Sequence, residues 1–359
     1  LKNYIVSHKE FDEFESNFSS TIWVGEIGLK NPNNDRGEGS ISSRNSEFAE
    51  LTALHKVWKS TDDTISSSGI SHYRRQLLLK NIPQIYSVIK ESKYTSTCLI
   101  SREKVSELGL MLVNELEMNE ISSCQFVLPM QERMNISVKS QFIKNHGQNQ
   151  WELMNTALLS LGENNIVNWL NDIENHFVRW GNIFIAKKSV LNEYCEWLFG
   201  VLKEVENIEH LFYLEDRSRM YAFMAERLFS AYVEMYSKRN NRLKIADKPT
   251  LLIDYQNKDF WFNLTKISKS DKFLIWGTGT FAEKFYNGMK LISFDENILG
   301  FLSSGTKEKG FGGLKTYNKD DLVNKNIKES FAFVVVLSTV GRNEIEKDLI
   351  NCGFEKGVS

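Results

Sequence analysis

The chain has 359 residues, of which 42% are apolar and 25% charged, and its formal net charge is −2 at pH 7. That length exceeds what one core ordinarily fills, so two domains are expected, and the near-neutral balance gives no reason for general nucleic-acid binding. Four prolines, 21 glycines and four scattered cysteines without a CxxC pair exclude low-complexity tracts, a zinc framework and a disulfide scaffold, and they suit a reducing cytoplasm.

In chain order, Tyr4 to His8 reads as a short apolar strand and Thr21 to Gly28 as a second. Asn31 to Ser40, dense in Gly, Asn and Asp, reads as a loop. Helical periodicity begins after Asn45, a good N-cap, with Glu47 in the first turn. Phe48, Leu51, Leu54, His55 and Trp58 then fall on one stripe, and Glu50 lies off it, about 200° around from Phe48. Ser123 to Met130 is strand-like. WELMNTALLSLG and IVNWLNDIENHF are helical in pattern, and Gly181 to Lys188 is strand-like again. SVLNEYCEWLFGVLKEVENI and Ser218 to Arg239 are amphipathic helices.

A polar stretch then places a boundary near Lys244 to Thr250. From Asp271 the pattern becomes strand, Gly-rich turn, helix, followed by ENILGFLSS, FAFVVVLST and GRNEIEKDLINCG. That alternation argues a small, parallel, doubly wound α/β domain. The expected domains are 1–245 and 250–359, the second stopping where a further strand would begin. No internal repeat is visible, no apolar run is long enough to span a bilayer, and the expectation is of a protein without a secretory leader.

The chemistry concentrates in SSGISHYRR. If Gly69 to Tyr73 is extended, His72 and Arg74 project to one face, Tyr73 and Arg75 to the other. Two guanidinium groups and an imidazole at a strand exit suit a pyrophosphate, because arginine offers a fixed fork of donors. The plainer alternative is a solvated strand end whose arginines pair with Asp62, Asp63 or a nearby helix terminus.

AELTALHKVWKS followed by GISHYRR resembles the E-L-T-A-x-x-x-x-W-K and H-Y-R-R signature of a bacterial family of capsular and exopolysaccharide glycosyltransferases, long catalogued as a domain of unknown function. SHK at Ser7 to Lys9, VG at Val24 and Gly25, ISSRN at Ile41 to Asn45, GNIFIAKKSVLNEYCEWLFGVL and RSRMYAFMAERL agree in order, over roughly residues 4 to 240. Three departures stand out: Ile183 replaces a Met, Ser71 replaces a Cys, and Asp35 and Glu38 sit in a variant loop. The resemblance implies a GT-A-like, Rossmann-like nucleotide-sugar-binding domain with added helices. It also implies a hexosyltransferase that uses a UDP-sugar, galactopyranose or galactofuranose favoured, to extend a lipid-linked capsular, exopolysaccharide or O-antigen glycan. On that reading the enzyme is cytoplasmic, with peripheral association at the inner membrane face. Ser7, His8 and Lys9 would meet the uridine half of the donor, and His72, Arg74 and Arg75 the diphosphate. Asn45, Asn182 and Arg227 complete the expected donor set.

Glycosyl transfer needs a stabilised leaving diphosphate and, with inversion, a base for the acceptor hydroxyl. Glu226 is the first candidate base, followed by Glu50 and Asp216. No clear Asp-x-Asp turn is present: Asp62 and Asp63 are adjacent, and Asp172 and Glu174 sit two apart in an expected helix. A divalent metal therefore stays open, with His72 as a candidate ligand. Trp180, Trp197 and Tyr194 are core candidates before sugar platforms, and His146 and His176 have no expected role.

In the second domain, Gly277, Gly279 and Ala282 form a GxGxxA turn of the kind that cradles a phosphate. The next strand ends in Ser303 and Ser304 rather than an acid, which argues against NAD. This half resembles small Rossmann-like modules appended to polysaccharide-biosynthesis enzymes. The rival readings are a nucleotide-dependent oxidoreductase or epimerase run by this domain, and a non-catalytic assembly module.

Overall fold

The computed structural model describes residues 1–59, 64–83, 85, 92, 94–239, 243–268, 270–303, 312–323, 330–337 and 342–355. Asp62, Asp63 and Ser304 lie outside the described residues. The chain forms two compact units, Leu1–Lys80 with Gly109–Thr250, and Asn81–Leu108 with Leu251–Ser359. The single boundary expected between 245 and 250 is thus one of three crossings, because the 81–108 segment folds with the C-terminal unit.

In the first unit, the strand Lys2–Ser7 runs parallel to both Ser19–Trp23 and Ser67–His72. Phe184–Lys187 lies antiparallel to Ser67–His72 and to Phe126–Pro129, which in turn pairs in parallel with Ile245–Lys248. The sheet is mixed and parallel-rich. Phe126–Pro129 and Phe184–Lys187 are buried on both faces, which is why they read as apolar runs, whereas Ser67–His72 is as buried, with Ile70 as its one aliphatic residue. Gly69 is required where Ser67–His72 meets Phe184–Lys187: a Cβ there would lie 1.8 Å from the Phe184 carbonyl oxygen and 2.6 Å from the Ile185 Cα.

The helices Leu51–Lys59, Gln148–Ser160, Lys188–Ile208 and Met220–Arg239 supply most of the helical share of one core. Phe184 stacks on Phe229 at 4.9 Å, and Trp58 on Phe199 at 5.4 Å. Tyr194 is buried among these rings and Trp197 donates Nε1–H to Glu163, so both belong to the core. Asp172 closes the helix Asn164–Asn171 and accepts from the Glu174 N–H, which places the Asp172 and Glu174 pair beyond the helix expected to carry it.

The single helix expected from Asn45 is two. Asn45–Phe48 ends at Ala49, whose φ of 45° and ψ of −125° break the spiral before Leu51–Lys59 begins. Asn45 is therefore the first residue of a short helix rather than an N-cap. Its amide donates to the Ala49 carbonyl and the Thr52 hydroxyl, closing the break from both sides.

His146 packs face to face on Phe223 at 4.1 Å, and burial, with Arg227 nearby, takes its imidazole down to about 4. The unfolded chain binds that proton near pH 6.5, so this contribution to stability is whole above pH 6.5 and is lost as pH falls toward 4. Thermal melts from pH 7 to pH 4 are expected to show a shallower acid limb in His146→Gln; identical limbs would refute the assignment.

In the second unit, four parallel strands lie in the order Lys315–Asn318, Ile298–Ser303, Phe273–Trp276, Phe333–Val336. Thr97–Ser101 packs against the helix Thr280–Leu291. Glu283, fully buried on that helix, accepts from the Tyr94 and Thr95 N–H groups, and Asn287 donates to the Thr95 and Thr97 carbonyls. Gly288 lets the Leu99 carbonyl approach, where a Cβ would sit 1.7 Å from its oxygen. These three residues explain why 81–108 belongs to this unit.

Candidate functional site

Because Lys2–Ser7, Ser19–Trp23 and Ser67–His72 are mutually parallel, their carboxyl ends share one edge, with Val6 opposite His72 and Ser7 opposite Trp23. In open α/β sheets that edge is where ligands bind. Ser7 itself is buried: its hydroxyl donates to the Lys9 carbonyl at 2.6 Å and accepts from the Lys9 N–H, so it shapes the turn that presents His8 and Lys9. His8 lies 5.9 Å from His72 and 5.7 Å from Tyr73, ring to ring.

The chain does not stay extended through HYRR. His72 bridges Arg75 antiparallel, so Tyr73 and Arg74 form a two-residue turn, and the alternation of faces expected there gives way to a hairpin tip. Tyr73 turns inward against Phe11, while Arg74 and Arg75 are exposed. Burial, aided by Arg75, His8, Arg74 and Arg219, holds the His72 imidazole well below its ordinary value. His72 is therefore neutral at pH 7. Its Nδ1 accepts a long hydrogen bond of 3.4 Å from the Arg74 N–H, which leaves the proton on Nε2 as a donor. His8 is lowered for the same reasons, partial burial first and then Lys9, Arg219 and Arg74. The positive charge at this edge belongs to Lys9, Arg74, Arg75 and Arg219.

Arg75 lies over Gly181, whose absent Cβ would sit 3.5 Å from the Arg75 Cδ and 3.7 Å from its Nη1. Gly181 and Asn182 both take positive φ, 93° and 49°, a conformation that glycine and asparagine tolerate. Two carboxylates clamp this turn. The Gly181 N–H donates to Glu226 Oε1 at 3.0 Å, and Asn182 Nδ2 donates to Glu50 Oε1 at 2.9 Å and to the Ala222 carbonyl at 3.0 Å. The Ala49 break is what turns Glu50 into this position. Burial, with Glu226 adding to it, holds the Glu50 carboxyl above the usual carboxylate range.

The expected site residues separate accordingly. His8, Lys9, His72, Arg74 and Arg75 gather at the strand edge, with Asn182, Glu50 and Glu226 in the adjoining turn. Glu226, the first candidate base, has both oxygens engaged, one by Gly181 and the other by Arg227 at 2.6 Å. Arg227 is only 1% exposed and lies over Trp180 and Phe142, with a further bond to Gln141, which makes it a core residue rather than a donor contact. Asp216 is an exposed turn cap that accepts from the Ser218 N–H. Asn45 spends its amide on the helix break, and His176 is tied to Met134, its Nδ1 to the Met134 carbonyl and its own carbonyl to the Met134 N–H. Arg219 is the residue that the sequence reading missed: it pairs with Glu50 at 3.6 Å, and its charge helps to lower both histidines. Its signal was the RSR run immediately before the last long helix of the unit.

Among the described residues no group of three or more His, Cys, Asp or Glu is placed to hold a metal ion. No described helix is long and apolar enough to cross a membrane. In the second unit, Gly277, at φ 115°, and Gly279 link the strand Phe273–Trp276 to the helix Thr280–Leu291.

This mixed α/β architecture is similar to that of a glycosyltransferase structure. The solved apo structure of the WbbM bifunctional glycosyltransferase superposes with a TM-score of 0.55 at 18% identity, covering 77% of this chain and 49% of that one. The chain thus spans about half the length of that relative. Residues 2–239 match the family described as a domain of unknown function, DUF4422, and the chain belongs to that family. No curated protein matches it.

Proposed function

We propose that the first unit is a GT-A-like glycosyltransferase that takes a hexosyl group from a UDP-sugar, galactopyranose or galactofuranose favoured, and adds it to a lipid-linked surface glycan. The observation that carries this reading is the cluster of His8, Lys9, His72, Arg74 and Arg75 at the carboxyl edge of three parallel strands, in a chain whose fold is similar to that of a glycosyltransferase. In the reaction the bond from the anomeric carbon to the diphosphate breaks and UDP leaves with the electron pair. The acceptor oxygen bonds to that carbon and loses its proton. Arg74, Arg75 and Lys9 offset the charge on UDP, and the neutral His72 donates a hydrogen bond to it.

Glu50 is better suited than Glu226 to receive the acceptor proton. Its carboxyl already sits above the usual range, and its Oε2 faces Arg219 at 3.6 Å, whereas both oxygens of Glu226 are held by hydrogen bonds. Glu226 positions the Gly181 turn. The test is a panel of UDP-sugars assayed for UDP release and thermal stabilisation of the full chain. Release of UDP from a UDP-hexose is expected; a panel with neither release nor stabilisation would sink the reading.

A further inference from the structure

Arg219 begins the last long helix of the first unit in an unusual way. Its φ of 55° is a left-handed conformation that a non-glycine residue adopts at a cost, and its N–H is fixed to the Ser46 carbonyl at 2.8 Å. The backbone is therefore anchored while the side chain, about half exposed, runs past Phe223 toward the site. There it meets two environments. On one side is Glu50, with Nη2 and Oε2 3.6 Å apart, close enough for attraction and too far for a good hydrogen bond. On the other side, Glu50 holds Asn182, whose neighbour Gly181 lies under Arg75 of the hairpin tip, and the charge of Arg219 adds to those that lower the His8 and His72 imidazoles. The shorter contact of Glu50, 2.9 Å from Asn182 Nδ2, uses its other oxygen and does not involve the arginine.

We propose that Arg219 is a donor-binding residue shared between two anions: Glu50 before the nucleotide binds, and the diphosphate of the nucleotide once it arrives. The inference rests on the donor-site reading above and adds to it a competition. A guanidinium offers a fork of donors that a diphosphate can engage bidentately, whereas Glu50 holds it by one long contact. Nucleotide binding draws the guanidinium toward the phosphates and away from Glu50. That leaves the carboxylate with less neighbouring positive charge at the moment an acceptor needs a base. Glu50 is thus an internal competitor of the nucleotide, and Arg219 couples occupancy of the diphosphate site to the state of the carboxylate.

The experiment is calorimetric titration of the full chain with UDP, on wild type, Arg219→Ala, Arg219→Lys, Glu50→Gln and the Arg219→Ala/Glu50→Gln double variant. Melting curves establish that each is folded. Arg219→Ala is expected to weaken UDP at least tenfold, and Arg219→Lys to recover part of that loss. Glu50→Gln is expected to tighten UDP about threefold in the wild-type background and to change nothing when Arg219 is absent. UDP affinity unchanged in Arg219→Ala overturns the proposal, as does a Glu50→Gln effect that is the same with and without Arg219. Failure of the wild-type chain to bind UDP, ADP, GDP, CDP or TDP would overturn the donor-site reading, and this proposal with it.

Discussion

Alanine at His72 or at Arg74 is expected to lower the rate of UDP release from a UDP-hexose by about a hundred- to a thousandfold, the usual effect of removing one preorganised donor from a site of developing negative charge. The two variants should fail differently. Arg74 is exposed at a hairpin tip and carries full charge, so its loss removes attraction for the diphosphate in the ground state as well as in transfer. His72 is neutral, its imidazole held down by burial and by Arg75, so its loss removes a directed hydrogen bond and little charge. UDP affinity should therefore fall more in Arg74→Ala than in His72→Ala, while turnover falls in both. Full activity in both variants would remove the site from this edge of the sheet.

Gly69→Ala should act on the fold rather than the chemistry. The added carbon would lie 1.8 Å from the Phe184 carbonyl oxygen, and both strands it wedges apart are central to the sheet. Neither neighbour is a flexible side chain that can swing aside, so the strands themselves must separate. A loss of about 3 kcal/mol or more is expected, at the upper end for overpacking and a large share of the stability of an ordinary domain. Urea denaturation of the full chain measures it, and a midpoint equal to that of wild type would show that the strand pair yields easily. Because Gly69 lies three residues before His72, a partly folded product should also lose UDP binding.

Much of this was legible in the letters. The strands at Tyr4, Phe126 and Phe184 announce themselves as apolar runs, and the long helices from Lys188 and Met220 by their periodicity, since burial on one or both faces leaves those patterns. The cationic tip at His72 to Arg75 was legible as a cluster, although its hairpin geometry was not: four polar and aromatic residues carry no alternation that distinguishes a strand from a turn. The Ala49 break was hidden because the apolar stripe continues in phase across it, from Phe48 to Leu51. The bonds that favour the interruption, from the Asn45 amide to Ala49 and Thr52 and from the Arg219 N–H to the Ser46 carbonyl, have no period to detect. Arg227 and Glu226 look alike in sequence as neighbouring charges, yet one is sealed among aromatic rings and the other holds a backbone turn. Burial is a property of tertiary packing, and no local pattern encodes it.

The second unit also constrains the order in which the protein can fold. Glu283 and Asn287 hold backbone atoms of Tyr94, Thr95 and Thr97 across the intervening Gly109–Thr250 part of the first unit. A ribosome would deliver 81–108 long before the helix that completes it, so this segment must wait, exposed, while Gly109–Thr250 emerges and packs. Nascent chains arrested just after Thr250 should accordingly be cut by protease within 81–108, and chains released after full synthesis should be protected there. The same reasoning bears on any attempt to study the C-terminal piece alone: a fragment from Asp271 onward lacks the strand Thr97–Ser101, against which its own central helix is built.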